Sequence, residues 1–304
     1  MSERFSLEEQ TEILREIVRK HTHHIPFQNT HLLLKDKPVN VMTKKAIYYR
    51  MIADKQGGCC YEQASLLYFI MKDLGFEIYR VLAYEKEEFN KDALQPHAFN
   101  IVKLSKLIQN DTDATEDIMK TQSQYYLIDC GWGYNSFSQP LPINFTDPEQ
   151  IIHLGNNESY RLTLKSDENY AILESFMNDK WTLYYTFSLP FQDASQELIE
   201  QNYFQLTQTD EFYPVKDKYF KIGSPEFETI PTENNTDTSK IIHKRSQFYF
   251  ELESHEGFYR LFENGEITQK VQYTDYETFK RDIVAKYGFE MPNLKELKNQ
   301  QNDQ

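Results

Sequence analysis

Two of the three cysteines in this chain of 304 residues stand side by side in the string Lys55-Gln56-Gly57-Gly58-Cys59-Cys60-Tyr61-Glu62. Paired glycines permit a tight turn that delivers a thiol to the first turn of a helix. There the positive end of the helix dipole and the N–H groups of the first turn favour a thiolate and offer donors to a nearby oxyanion. Cys59 falls at the turn, whereas Cys60 opens an apolar-periodic run ending at Leu74. Cys60 is therefore the candidate nucleophile, with the backbone N–H groups of Cys60 and Tyr61 as candidate oxyanion donors. The bland alternative is an inert, buried cysteine.

A thiolate of this kind needs a base, and the base needs an acceptor to orient it. His97 opens the run HAFNIVKL and Asp129 closes the run YYLID. If these two strands pair antiparallel, the start of one lies beside the end of the other, and imidazole and carboxylate emerge at the same sheet edge. The connector expected between them, Ser105 to Gln124, is long for a hairpin. Cys130 is expected to point to the opposite face of its strand, into the core.

The elements that must position these groups follow from periodicity. Ser6-Leu7-Glu8-Glu9 is a capping box, and Ile13, Leu14, Ile17 and Val18 follow at helical spacing. A second helix runs from about Cys60 to Leu74, closed by Gly75. From Phe76 the period changes to short β-branched and aromatic runs: 76–84, 97–104, 125–129, 160–166, 169–175 and 181–189. A short helix is expected over Asp193 to Asn202. Gln208 to Lys240 is the least ordered-looking stretch, with PTENNTDTSK as an exposed loop. Two further strands flank a hairpin at Asn264-Gly265, and Thr274-Asp275-Tyr276-Glu277 caps a closing helix carrying Phe279, Ile283 and Tyr287.

Composition removes several function classes. The net charge is −14, and no block of Lys and Arg occurs, so the counterion-release attraction behind non-specific nucleic-acid binding is missing. DNA, RNA and anionic membranes are set aside as primary partners. The longest apolar run, Leu66 to Met71, is far short of the ~20 residues that span a bilayer. The start of the chain lacks the regions of a signal peptide, and three cysteines make no disulfide framework. A cytoplasmic location is expected. His21, His23, His24 and His31 cluster, but no second group at ligand spacing accompanies them, so no metal is expected.

Taken together, GGCCYEQ before an apolar helix ending in LGF, then HAFNIV, then LIDCGWG resemble the arylamine N-acetyltransferase family, with its Arg-Gly-Gly-x-Cys motif, following histidine and Asp-x-Gly-x-Gly turn. Ile25-Pro26-Phe27-Gln28-Asn29 stands where the family has Pro-Phe-Glu-Asn, and Gln139-Pro140-Leu141 and the LYYTFSL…Asn202-Tyr203 stretch extend the likeness. The resemblance implies an α+β fold with a papain-like core: a helical N-terminal bundle (1–75) bearing Cys60, a central β-barrel (76–190) bearing His97 and Asp129, and a C-terminal α/β lid (191–304). It implies a Cys60-His97-Asp129 triad. It also implies ping-pong transfer of acetyl from acetyl-CoA to an arylamine or hydrazine, with Trp132 lining the acceptor pocket and Gly131, Gly133, Tyr203 and Thr209 touching the CoA.

Three departures stand out. The family's arginine before the glycines is Gln56, its glutamate is Gln28, and its asparagine four residues after the nucleophile is Ala64. The first two are expected to form a neutral Gln28–Gln56 contact in place of an ion pair. Rival readings are a cysteine amidase or peptidase on the same triad, an amide-forming acyltransferase, and a non-catalytic binding protein on the same fold.

Overall fold

The computed structural model describes residues 5–34, 42–87, 89–90, 92–108, 120–155, 158–177, 179–208, 219–230, 240–263 and 266–296. Backbone contacts gather the chain into two units. One comprises residues 1–20, 67–129 and 139–194, and the other residues 21–66, 130–138 and 195–304.

The first unit is built on an eight-stranded antiparallel sheet. Its strands are β2 (Glu77–Tyr84), β3 (His97–Ile108), β4 (Lys120–Ile128), β5 (Leu141–Ile143), β6 (Glu149–Gly155), β7 (Glu158–Lys165), β8 (Tyr170–Met177) and β9 (Lys180–Ser188). They lie in the order β5-β4-β3-β2-β9-β8-β7-β6. The edge strands β5 and β6 follow one another in the chain, and the sheet curls into a nearly closed barrel. Alternation fixes which face turns inward: Tyr160, Leu162 and Leu164 of β7 meet Ala171 and Leu173 of β8 in the interior. On β3 the run Ala98–Val102 is buried on both faces. The helix α1 (Leu7–His24) explains the second face, since its Thr11 hydroxyl lies 3.1 Å from the Tyr126 hydroxyl and its Gln10 amide donates to Ser105 O at 3.2 Å.

The capping box at the start of α1 forms as expected. The Ser6 N–H donates to Glu9 Oε2 at 2.7 Å and the Glu9 N–H to Ser6 Oγ at 3.1 Å.

The second unit carries a five-stranded antiparallel sheet in the order β1 (Phe27–Gln28), β10 (Tyr219–Ile230), β11 (Lys240–Glu251), β12 (Glu256–Glu263) and β13 (Glu266–Tyr273). Its core is aromatic. Phe220, Ile222, Phe248, Phe250 and Tyr273 pack against Tyr276, Phe279 and Ile283 of the closing helix α5 (Tyr276–Tyr287). Also in this unit are α2 (Lys44–Tyr48), a π-helical turn at Tyr49–Ala53, a 3-10 turn at Thr30–Leu33 and α4 (Gln196–Gln208). The helix α3 (Cys60–Asp73) begins in the second unit and ends in the first. Among the described residues no helix is long and apolar enough to cross a membrane.

Several expectations need correction. The stretch between the His97 and Asp129 strands is shorter than expected, because β3 runs on to Ile108 and β4 starts at Lys120; residues 109–119 lie outside the described ones. Part of the stretch expected to be irregular, 208–240, is the long strand β10, fully paired with β11. Its Pro225 lies beyond the two residues that pair with β1. The closing helix is capped by Asp275, which accepts the Thr278 N–H at 2.8 Å, and not by Thr274. The helix expected from Asp193 begins at Gln196, since the Asp193 carboxylate is occupied by the Arg80 N–H and the Tyr68 hydroxyl. Asn264-Gly265 lies outside the described residues, but β12 and β13 flank it as an antiparallel pair.

Candidate active site

The nucleophile string is shaped by close contacts at its glycines. Gly57 has φ +68°, and a Cβ there would stand 2.3 Å from Pro26 O, so only glycine closes this turn. The Gly58 N–H donates to Pro26 O, its carbonyl accepts the Gln28 N–H at 3.1 Å, and it bridges to Phe27. A Cβ on Gly58 would meet the Glu62 carboxylate at 2.7 Å. With both glycines satisfied, α3 starts at Cys60, whose side chain is partly exposed, while Cys59 and Cys130 are buried and none of the three forms a disulfide. The string thus presents Cys60 at the positive end of a helix and keeps Cys59 inside. Cys130 lies just past the end of β4 and not on it.

One wall beside Cys60 is fixed by the loop 130–138. A Cβ added to Gly131 would lie 2.6 Å from Cys60 Cα, so this glycine lets the loop backbone press against the helix start. Arg245 Nη1 donates to Tyr134 O at 2.6 Å and Ser136 O at 2.8 Å, and the Trp132 N–H donates to Ser136 Oγ at 3.0 Å. Trp132 itself is half-buried. The Lys221 side chain reaches Gly133, with Nζ 3.6 Å from the position a Cβ there would take and 5.7 Å from the Phe27 ring centre. The Asn29 carboxamide anchors Lys221 by accepting its N–H at 2.8 Å.

Beneath the helix start lies a buried polar cluster that sequence reasoning missed. The Glu62 carboxylate is fully buried. It accepts the Cys59 N–H at 2.8 Å, the Tyr203 hydroxyl at 3.0 Å and the Arg50 guanidinium, and His31 Nε2 lies 3.5 Å away. Burial pushes the Glu62 pKa up, but the charges of His31 and Arg50, the Cys59 N–H and the Tyr203 hydroxyl outweigh it and hold the carboxyl below its ordinary value. Burial likewise pushes His31 down, and the Glu62 charge with the Cys59 thiol reverses that, so His31 is raised. Cys59, His31 and Glu62 place three potential metal donors within 4.8 Å of one another. The carboxylate already accepts from a guanidinium, a hydroxyl and a backbone N–H, so this donor set is occupied by protons and an ion pair and does not fit a metal.

The expected Gln28–Gln56 contact does not form. Gln28 is buried and accepts the Thr30 N–H and hydroxyl at 2.7 and 2.5 Å, whereas the Gln56 side chain is exposed. Tyr203, expected to touch the CoA, is buried with its hydroxyl on Glu62 and 3.1 Å from His31 Nε2. Thr209 lies outside the described residues. Ala64 is buried and brings no polar group to the helix. Gln63 is the strut here, donating to Ile25 O and Pro26 O and accepting from His21 at 2.6 Å.

The candidate base and its carboxylate belong to the first unit. β3 and β4 pair antiparallel with Asn100 opposite Ile128, which brings the start of one strand to the end of the other. His97 Nε2 lies 2.8 Å from Asp129 Oδ2, both side chains buried. This bond assigns Nε2 to the carboxylate. The Tyr185 ring stacks on His97 at 5.1 Å, and Phe99 stacks on Tyr185 in turn. Burial, then the Asp129 charge, pushes the Tyr185 hydroxyl well above its ordinary range, so it stays a neutral donor. Neither Tyr185 nor Lys221 had a sequence signal, since each is one aromatic or one lysine within an ordinary strand.

The chain matches the protein family described as N-acetyltransferase over residues 10–216. It is 27% identical over 176 residues to the arylamine N-acetyltransferase of Mycolicibacterium smegmatis, a match taking in 58% of this chain and 57% of that one. Among solved structures, it resembles the arylamine N-acetyltransferase from Salmonella typhimurium at a TM-score of 0.66 and 16% identity, over 95% of this chain and 88% of that one. The Mycobacterium marinum arylamine N-acetyltransferase in complex with CoA superposes at a TM-score of 0.64 and 17% identity, over 94% and 89%. At such identities the structures speak for the fold, which is the papain-like α+β fold of these enzymes. With the family match covering most of its length, the chain belongs to the arylamine N-acetyltransferase family.

Proposed function

We propose that the protein transfers acetyl from acetyl-CoA to an arylamine or hydrazine nitrogen through an acetyl-Cys60 intermediate. The observation that carries this reading is the N-acetyltransferase family match over residues 10–216, which spans a partly exposed Cys60 at the start of a helix and a buried His97 hydrogen-bonded to Asp129.

In the first half-reaction His97 Nδ1 takes the Cys60 proton and the thiolate sulfur attacks the acetyl carbonyl carbon. The oxyanion that forms faces the N–H groups of Cys60 and Tyr61. Its collapse breaks the bond to the CoA sulfur, which leaves with the proton from His97. In the second half-reaction the amine nitrogen attacks the thioester, gives its proton to His97, and Cys60 departs as thiolate. An aromatic amine suits this step because it is neutral near pH 7 and enters an apolar site unprotonated. Asp129 holds the imidazole in the tautomer that both steps need.

For the CoA, a polyanion meeting a chain of net charge −14, local positive and backbone donors are required. The segment Gly131 to Gly133 with Lys221 beside it supplies them, and the Trp132 side chain borders the acceptor. The similarity to an arylamine N-acetyltransferase crystallised with CoA supports the donor. Cysteines outside any disulfide suit a reducing compartment, in line with a cytoplasmic location.

The test is intact-protein mass after mixing with acetyl-CoA without acceptor, beside a Cys60→Ala control. One acetyl group gained only with Cys60 and discharged by aniline is the expected result. No adduct, with Cys60 still alkylating fast, would turn the reading toward a cysteine amidase; a Cys60 inert to both would leave a binding protein.

A further inference from the structure

We propose that Arg50, His31 and Tyr203 act as positioning residues for the nucleophile, working through the Glu62 carboxylate that holds the Cys59 N–H and with it the first turn of α3. The inference rests on the reading of Cys60 as nucleophile.

A glutamate three residues after a helix cap commonly reaches back to the cap N–H at the surface. Here the same reach-back occurs with the carboxylate fully buried, and a buried anion is costly unless it is paired and hydrogen-bonded. The pairing comes from three separate elements: His31 on the 3-10 turn Thr30–Leu33, Arg50 on the π-helical turn Tyr49–Ala53, and Tyr203 on α4. Tyr203 is a bridge, giving its proton to Glu62 at 3.0 Å while its oxygen lies 3.1 Å from His31 Nε2. The Tyr61 ring, next to Cys60, packs on the Tyr203 ring at 5.9 Å between centres. Three contacts from separate elements therefore converge on Glu62, which holds the Cys59 N–H, and a fourth reaches Tyr61.

Two features favour a role toward the nucleophile over stability alone. Buried ion pairs stabilise a fold weakly compared with apolar residues of like volume, yet this one is built at the turn that delivers the thiol. Arg50 and His31, the latter raised in pKa by the Glu62 charge, also set cationic groups beside the carboxylate beneath the helix start. The titratable and charged groups that face Glu62 are His31, Arg50, Cys59 and Tyr203.

The experiment is the rate of iodoacetamide alkylation at Cys60, resolved by peptide mass spectrometry, from pH 5 to 9 on the full chain carrying Arg50→Met, Arg50→Lys or Tyr203→Phe. Arg50→Met is expected to slow Cys60 alkylation at neutral pH by about tenfold and move its pH midpoint upward. Arg50→Lys should recover part of that loss, and Tyr203→Phe should cost about threefold. Cooperatively melting variants that alkylate at the parent rate with the parent midpoint would overturn the proposal. If Arg50→Met does not fold, the other two variants decide by the same criterion. Alkylation needs no acetyl-CoA, so a parent protein whose Cys60 alkylates but never acetylates sinks the acetyltransferase reading and leaves this one measurable.

Discussion

The hydrogen bond of 2.8 Å between His97 Nε2 and Asp129 Oδ2 joins the first residue of one strand to the residue just past the end of its neighbour. Its consequence is a fixed tautomer. Asp129→Asn keeps the shape but presents an amide that can hold the imidazole in the wrong form, and the acetylation rate should fall by roughly 10²–10⁴-fold. Single-turnover acetylation of Cys60 followed by mass would check it, and a loss below fivefold would remove Asp129 from the role.

Tyr185 tests how tightly that imidazole is held. Its ring lies over His97 at an interplanar angle of 29°, so Tyr185→Leu removes the stack and the hydroxyl together. A drop of about tenfold in kcat is expected, with Tyr185→Phe intermediate because it keeps the ring. Equal activity of all three forms would reduce Tyr185 to packing.

Gly131→Ala is the sharpest steric test. The new methyl would sit 2.6 Å from Cys60 Cα and 3.0 Å from its Cβ, closer than carbon atoms approach, so loop or helix must shift. A misplacement of this size is expected to cost about 10²-fold in acetylation. Circular dichroism and melting temperature would show that the fold survives. An active Gly131→Ala enzyme would contradict the close approach.

Much of this site was legible in the residues. Gly57-Gly58 ahead of an apolar helix placed Cys60, and two strand ends placed His97 beside Asp129, because tight turns and antiparallel pairing are local or nearly local rules. The supporting cluster was not legible. His31, Arg50 and Tyr203 lie 31, 12 and 141 residues from Glu62, on short turns and a helix without a motif, and only tertiary packing joins them. The substitution pattern at Gln28 and Gln56 suggested a neutral pair, but one side chain is buried on Thr30 and the other faces solvent. In the same way the stretch from Gln208 to Lys240 read as the least ordered, although part of it is a strand because β11 pairs along its whole length.

Lys221 separates donor binding from chemistry. Its ammonium sits beside Gly133, where the proposed CoA anion would meet it. Lys221→Ala should raise the KM for acetyl-CoA about fivefold to tenfold with little change in kcat, and the effect should shrink as salt rises. An unchanged KM at low salt would place the anion elsewhere.

His21 gives the chain a pH-dependent weakness. Burial lowers its pKa from 6.5 to about 4, only partly opposed by the Gln63 hydrogen bond, so the folded protein keeps it neutral while the unfolded chain protonates near its ordinary value. The His21 contribution to stability is therefore whole above about pH 6.5 and is lost progressively down to about pH 4, a swing on the order of 3 kcal/mol. His31 has the opposite sign, since a raised folded pKa favours the fold on the acid side. Urea unfolding of the parent and of His21→Gln between pH 7.5 and 4.5 isolates the first term: the parent should lose stability more steeply than the variant across that window. Parallel slopes would show that His21 takes up its proton without opening the structure around Gln63.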